Sequence, residues 1–343
     1  MLHPRVCTDF PGGQLGEHQW TSPTHLRAVL YREWDEKRLN TQATWYYFRL
    51  DGVKGVPLTV ELTGLNDRYE GRPSHSVAEH DMPFVSDDNI QWRRLLTAQF
   101  HRERATLTLH VTPQHDTLWV AHLEPYTAEH LDKLLADHAG SRYLTTENAG
   151  KTVEGRALPL WSITDPTTPD DTKRVVWLMA RQHAWETHTS WCVDGLVRFL
   201  LADTPAAAMA RRRLLVRLFP MMDPDGVARG GTRFNRYGYD LNRHWDWVDP
   251  SDPSAWEKTP EIAAGKKAIA DWLESGRPID LFLAFHDTQH DVLMIPAALS
   301  QNAVINRLLE EMCRHRFTRR VHTSTAAPGS TVHTALYHLH GIT

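Results

Sequence analysis

The sequence predicts two domains of different class: an all-β antiparallel sandwich over residues 1–124, then an α/β domain with a mixed, mostly parallel sheet over residues 125–343. Three observations carry this. The chain has 343 residues, and at about 150 residues per domain that is roughly two domains, each long enough to bury its own core. Its first third is made of short β-rich segments separated by turn signals, the pattern of a sandwich. The remainder alternates nearly continuous apolar runs with helical patterns, the pattern of a sheet buried on both faces.

Taken in order, WYYFRLDGV (45–53) and VPLTVELTGL (56–65) are rich in β-branched and aromatic residues, with a Gly-containing turn between them. The polar stretch 66–81, with Gly71 and Pro73, reads as a loop. ATLTLHVTP (105–113) alternates strongly, and TLWVAHLEP (117–125) follows as the last strand of the sandwich. TAEHLDKLLADHA (127–139) is a helix with Leu131, Leu134 and Leu135 on one side, Thr127 as N-cap and Glu129 in the first turn.

Beyond it, RVVWLMA (174–180) is a buried strand and a helical pattern runs on to about Leu201. LLVRLFPMM (214–222) is a second buried strand. TPEIAAGKKAIADWLESG (259–276) is a helix with a Thr-Pro start and a Gly stop. IDLFLAF (279–285) is the third buried strand.

Composition removes several classes of function. Lys and Arg number 38 against 42 Asp and Glu, a formal charge of −4, and no long basic run exists. Phosphate-driven nucleic-acid binding needs clustered positive charge, so no nucleic-acid partner is expected. No uninterrupted apolar stretch approaches the ~20 residues of a membrane-spanning helix, and the first twenty residues lack the apolar core of a signal peptide. The chain therefore reads as cytoplasmic, without a membrane partner. Cys7, Cys192 and Cys313 are far apart and form no CxxC pair, which argues against both a disulfide framework and a thiolate metal cluster. Cys192, in an apolar stretch, reads as a small core residue.

In a parallel sheet, ligands gather past the carboxyl ends of the strands, and three polar clusters stand there. ARQHAWET (180–187) puts His183 and Glu186 directly after the first buried strand. Residues at i and i+3 of an opening helical turn lie on one face and can hold one metal together. A solvated histidine and a first-turn glutamate favoured by the helix dipole are the plainer reading of that pair.

The second cluster, MMDPDGVARGGTRFNRYGYDLNRHWD (221–246), opens with a DPDG turn. It then crowds Arg233, Arg236, Asn242 and Arg243 into a loop-like segment. Guanidinium forks suit a carboxylate, although a solvated basic loop fits as well. In the third, AFHDTQHD (284–291), His286 and His290 have a spacing that would imitate HExxH on a helix. The β-like runs on either side argue instead for a strand end, with His286 as the residue nearest it.

The order of these motifs resembles that of the zinc carboxypeptidase superfamily, and within it the cytosolic carboxypeptidase-like branch. ARQHAWET is similar to that branch's ARxHPGET. PMMDPDGVARGGTRFNRYGYDLNRHW is similar to its PMxNPDGVxxGNxRxNxxGxDLNRxW, and AFHDTQH takes the place of its DLHGHS. LWVAHLEPYTAEHL resembles the AYxxPYTY segment that closes the branch's N-terminal β-sandwich. The likeness runs over nearly the whole chain.

The resemblance implies a zinc-dependent metallocarboxypeptidase that hydrolyses the C-terminal peptide bond of peptides or proteins, often releasing acidic residues. His183, Glu186 and His286 would be the ligands of one zinc ion, with a fourth position left for water. Asp240 would orient a ligand histidine from behind. Asn242 and Arg243 would grip the carboxylate of the substrate's last residue, and Arg233 would polarise the scissile carbonyl.

Departures from the pattern have consequences. Asp223 replaces an asparagine, and Ala184–Trp185 replace Pro-Gly, with Trp185 expected to pack rather than line a pocket. His188 reads as a surface residue, and His290 as a candidate substrate contact. The family's general-base glutamate follows a Gly-Ile step. Here that step is HGIT (340–343), which places the base a few residues beyond Thr343, in a catalytic domain read as truncated. No Asp or Glu occurs from Met312 to Thr343. Two further readings stay open: a zinc deacylase of N-acyl amino acids, and a catalytically silent domain that binds C-termini.

Overall fold

The computed structural model of the chain describes residues 4–74, 81–288, 292–314, 321–324 and 329–342. Backbone proximity divides it into two compact units. The first takes Met1–Asp132 together with His183–His188 and Asp223–Tyr239; the second takes the rest.

The first unit holds two five-stranded sheets. One runs in the order Arg5–Cys7, Tyr47–Asp51, Thr117–Ala121, Phe84–Ser86, Arg93–Arg94, antiparallel throughout. The other runs Gln99–His101, Thr106–Val111, Leu58–Thr63, His25–Val29, Glu17–Ser22. Period-two alternation gives each sheet one apolar face. Phe48, Leu50, Leu118 and Val120 from one sheet share a core with Leu26, Val60, Leu62, Leu107 and Leu109 from the other. The expected sandwich is present, with one exception to its antiparallel pairing: His25–Val29 runs parallel to Leu58–Thr63.

The polar stretch after Leu65 is not all loop. Asp67–Tyr69 and Arg72–Ser74 form a tight hairpin, turned by Glu70 and Gly71 at φ 50° and 74°. Asp67 anchors it by accepting the Ala43 amide at 2.9 Å.

The second unit centres on a five-stranded mixed sheet in the order Leu144–Lys151, Ala157–Ile163, Leu214–Phe219, Arg174–Met179, Leu281–Ala284. The last three run parallel to one another; the first two join antiparallel. The 144–163 hairpin was illegible because Leu144–Lys151 is a largely exposed, polar edge strand and Pro159 interrupts its partner. Trp177, at 0% exposure, fixes the core. It packs edge-on against Trp272 (5.9 Å) and tilted against Phe219 (6.0 Å), with the Arg217 guanidinium over its ring.

The expected helices occur as Ala128–Asp137, Thr187–Leu201 and Pro260–Glu274. Thr127 directly precedes the first of them, and its amide donates to His130 Nδ1 at 3.1 Å, so the histidine side chain holds the helix start. Among the described residues no helix is long and apolar enough to cross a membrane.

Two local expectations are corrected. Cys192 is exposed, because Thr187–Leu201 turns Val193, Val197 and Leu200 inward and leaves Cys192 on the outer side. DPDG opens a short helix, Pro224–Arg229, rather than a simple turn. Asp223 stands at its N-cap, Pro224 at its first position and Gly230 at its C-cap, the combination that nucleates a helix.

Gly230 is left-handed, at φ 69°, and has no room for a side chain. A Cβ there would lie 2.7 Å from Gln14 Cβ and 2.8 Å from the carbonyls of Gly12 and Gly13. Gly230→Ala is expected to destabilise the protein by at least ~1–2 kcal/mol, the cost of a left-handed alanine before the overlap is relieved. Urea unfolding of the full chain measures it.

Candidate metal centre

Strand pairing brings the chemistry together. Arg174–Met179 and Leu281–Ala284 are parallel neighbours with Met179 opposite Ala284, so their carboxyl ends finish level. His286 comes two residues past one strand and His183 four past the other. The chain after Met179 is forced off the strand direction by Arg181, a non-glycine residue at φ 58°. Its buried guanidinium donates to Ser190 Oγ at 2.9 Å, which offsets the strain. The turn 183–186 then closes with the Glu186 amide donating to the His183 carbonyl at 3.2 Å, and helix Thr187–Leu201 begins.

The result is a group of three: His183, Glu186 and His286 offer one ligand atom each, all within 4.8 Å of one another. His183 and Glu186 are 2% and 3% exposed, and His183 Nδ1 lies 2.8 Å from Glu186 Oε1. Zinc holds nitrogen and oxygen ligands at about 2.0–2.1 Å, so two ligand atoms on one ion stand no more than roughly 4.2 Å apart. Only a small contraction closes this group on a cation. No fourth Asp, Glu, His or Cys joins it among the described residues, and three protein ligands is the pattern of a catalytic metal site rather than a structural one.

Asn242 adjoins this group. Its Nδ2 lies 3.0 Å from His286 Nε2, while its Oδ1 accepts the Val332 amide at 3.1 Å. The Val332 bond decides which end of the amide faces the imidazole. Asp240 Oδ1 accepts the Asn242 amide at 2.8 Å and holds the DLNR turn. Arg243 is half-buried, and its Nη1 donates to the Asn242 carbonyl at 2.8 Å. His333, on the first turn of Val332–His340, feels both His286 and Arg243. Burial, with His286 and the Arg243 guanidinium adding, pushes its imidazole down to about 4, so the ring is uncharged at neutral pH.

Arg233 sits elsewhere on the polar segment, half-buried, in a turn whose amides are held by Glu33. Arg236 is exposed, so the crowding of basic residues suggested by the sequence thins to Arg233 and Arg243. Trp185 packs, as expected: it lies against the apolar cluster of Trp45, Tyr47 and Leu123, and against His122 at 5.7 Å. His188 is half-buried and lowers the proton affinity of Glu124, which burial raises. His290 lies outside the described residues.

A zinc carboxypeptidase model matches residues 128–341, and a cytosolic carboxypeptidase N-terminal domain model matches residues 6–123. The chain belongs to the zinc carboxypeptidase family. An uncharacterised protein of Zymomonas mobilis is 30% identical over 221 residues, 64% of this chain and 53% of that one. Cytosolic carboxypeptidase 2 of Xenopus tropicalis is 28% identical over 266 residues, 71% of this chain and 26% of that one. The chain thus spans about half the length of the first relative and about a quarter of the second. A metallo-carboxypeptidase from Burkholderia cenocepacia has the same fold: TM-score 0.83, 24% identity, 99% of this chain and 88% of that chain.

Three residues beside the candidate site and its flanking turn escaped the sequence reading. Gln182, fully buried, donates from Nε2 to the Leu241 carbonyl at 2.7 Å and ties the HxxE turn to DLNR. Its place between Arg181 and His183 was the one available signal. Glu33 gave none, lying two hundred residues from the amides it binds. His333 sits in a stretch where no motif matched.

Asp223, where the family has asparagine, is fully buried. Its Oδ1 accepts the Gly226 amide at 2.8 Å, and its Oδ2 has no partner among the described residues. Burial raises its carboxyl from 3.8 to about 6, with Arg229 opposing. The folded state therefore holds this proton more tightly than the unfolded chain. The stability it contributes is complete below the ordinary carboxylate range and lost as pH rises through about 6. Asp223→Asn keeps an acceptor for Gly226 and removes the ionisation. It is expected to be more stable than the parent by about 1–3 kcal/mol at pH 8 and indistinguishable from it at pH 4. Urea unfolding at the two pH values checks this.

Proposed function

We propose that the chain holds one zinc ion on His183, Glu186 and His286 and acts on the C-terminal peptide bond of peptides or proteins, in the cytoplasm. What carries the reading is the convergence of those three ligand atoms beside an amide and a guanidinium suited to a carboxylate. Zinc, when bound, supplies an acidified water and a Lewis acid for the carbonyl. Everything else falls to the chain's own side chains.

Asn242 and Arg243 receive the substrate's terminal carboxylate, the guanidinium by a two-bonded fork and the amide by its Nδ2. Asn242 Nδ2 lies 3.0 Å from His286 Nε2 and carries two hydrogens, so it can face the imidazole with one and a substrate carboxylate with the other. Asp240, by holding the Asn242 amide, keeps the pair in place. Arg233 stabilises the negative charge that develops on the carbonyl oxygen, a role worth about 3–4 kcal/mol where single donors have been removed. The burial of His183 and Glu186 excludes water from the ligands' flanks and strengthens these interactions.

Two measurements test the reading. The parent protein should retain one equivalent of zinc after gel filtration, by elemental analysis, and His183→Ala should retain none; a variant that keeps its zinc removes the ligand assignment. Binding of a peptide with a free C-terminal carboxylate should weaken by at least ~10-fold when that end is amidated, and Arg243→Ala should abolish the difference. Equal affinity for both forms would dismiss the clamp.

A further inference from the structure

Glu33 stands in the short strand Glu33–Trp34, paired antiparallel with Thr41–Gln42. It is 7% exposed, an unusual place for a carboxylate. The carboxylate is spent on backbone. Oε2 accepts the amides of Arg233 at 2.6 Å and Phe234 at 3.0 Å, and Oε1 lies 3.8 Å from the Arg229 guanidinium. Gly231 makes the approach possible, since a Cβ there would come within 2.9 Å of Oε1. The same turn is closed from inside by Arg229 Nη2, which donates to the Phe234 carbonyl at 2.5 Å.

The strand that bears Glu33 is itself braced. The Asp35 carboxylate accepts the amides of Leu39 at 2.7 Å and Asn40 at 2.9 Å, and the Glu36 amide donates to the Gly238 carbonyl at 3.1 Å. Further along, the Gly12 amide donates to the Ala228 carbonyl at 3.0 Å. Residues 228–238 are thus held at three points by residues 12–36.

We propose that Glu33 is the positioning residue for Arg233: the N-terminal sandwich supplies the carboxylate that fixes the turn from which Arg233 meets the reacting carbonyl. The inference rests on the function proposed above. Two charge-assisted bonds to successive amides set the direction in which the Arg233 side chain leaves the backbone, and misplacement by about 1 Å at a reacting centre costs on the order of 10²-fold. A role for residues 12–36 follows: they hold the Arg233 turn by way of backbone, without themselves touching substrate.

The test uses the full zinc-loaded chain and two ligands, with affinities read by calorimetry. One is a peptide phosphinate with a free C-terminal carboxylate, whose tetrahedral group imitates the charge Arg233 would stabilise. The other is an N-acyl amino acid with the same free carboxylate but no tetrahedral group. Glu33→Ala is expected to weaken phosphinate binding by about 10- to 100-fold. Zinc content should be unchanged, and the N-acyl amino acid should bind within about two-fold of the parent. Glu33→Gln, which keeps an oxygen for the two amides, should recover most of the loss and guards against a failure of the alanine variant to fold.

In an Arg233→Ala background, Glu33→Ala should add no more than about two-fold, because the two residues act as one unit. Fully additive losses, or equal weakening of both ligands, would show that Glu33 serves the fold alone and overturn the inference. A parent protein that takes up zinc but ignores the phosphinate, or an Arg233→Ala variant that binds it undiminished, would overturn the function reading first and this inference with it.

Discussion

The candidate site depends on the register between two parallel strands. Met179 faces Ala284 across the ladder, and the histidines that follow come from chain segments separated by about a hundred residues of sequence. A strand rises about 3.3 Å per residue, whereas metal–ligand distances tolerate only ~0.2 Å. A one-residue slip would carry His286 a full residue along and turn its neighbours to the opposite face. What forbids the slip is apolar. Trp177 and Met179 are buried in one core with Phe219 and Trp272, and Phe282 enters the same core. Hydrophobic packing, which is non-directional, is thereby converted into ångström placement of ligands.

Around that register the molecule accepts several local costs. Arg181 and His244 hold positive φ without being glycine, and each adjoins a functional segment: Gln182–Glu186 on one side, Asn242–Arg243 on the other. Gln182 is buried with one amide bond made and, among the described residues, its Oε1 without a partner. Asp223 is a buried acid whose neutral form the fold prefers. Such conflicts persist where surrounding packing over-determines them. Arg181 and His244 fall on either side of the ligand group, whereas Arg38, Glu70, Asn89 and Ala105, the other non-glycine residues at positive φ among the described residues, lie in turns of the first unit; the paired strands and the two long helices carry none.

Much of this was legible beforehand. The three buried strands were visible because strands covered on both faces read as unbroken apolar runs, and the ligand group because parallel sheets place chemistry past their carboxyl ends. Of the site, the residues that lie within motifs were readable. Those that act through backbone were not. Gln182 and Glu33 recognise a carbonyl and two amides, and every residue has a carbonyl and an amide, so no side-chain pattern at the far end marks the contact. The Leu144–Lys151 strand was missed for a related reason. An edge strand with most side chains in water has no periodic apolar face to betray it. The parallel pairing of His25–Val29 escaped because pairing direction is decided by tertiary contacts that short alternating segments do not encode.

Backbone recognition also clarifies why the sandwich segment and the segment 223–239 group together. A side-chain interface tolerates drift, since apolar groups can repack with little loss. Hydrogen bonds to main chain do not drift, because donor and acceptor must keep both distance and angle. Gly12 to Ala228, Glu36 to Gly238 and Glu33 to Arg233 and Phe234 are all of this kind. Gly230 and Gly238 lack side chains where backbone or side-chain atoms of residues 12–36 approach within 2.8 Å. Arg236 is exposed and makes none of these bonds, so its side chain can vary while the path of the chain past Arg233 does not. A segment held through its backbone in this way keeps its shape while an exposed residue such as Arg236 stays free to change.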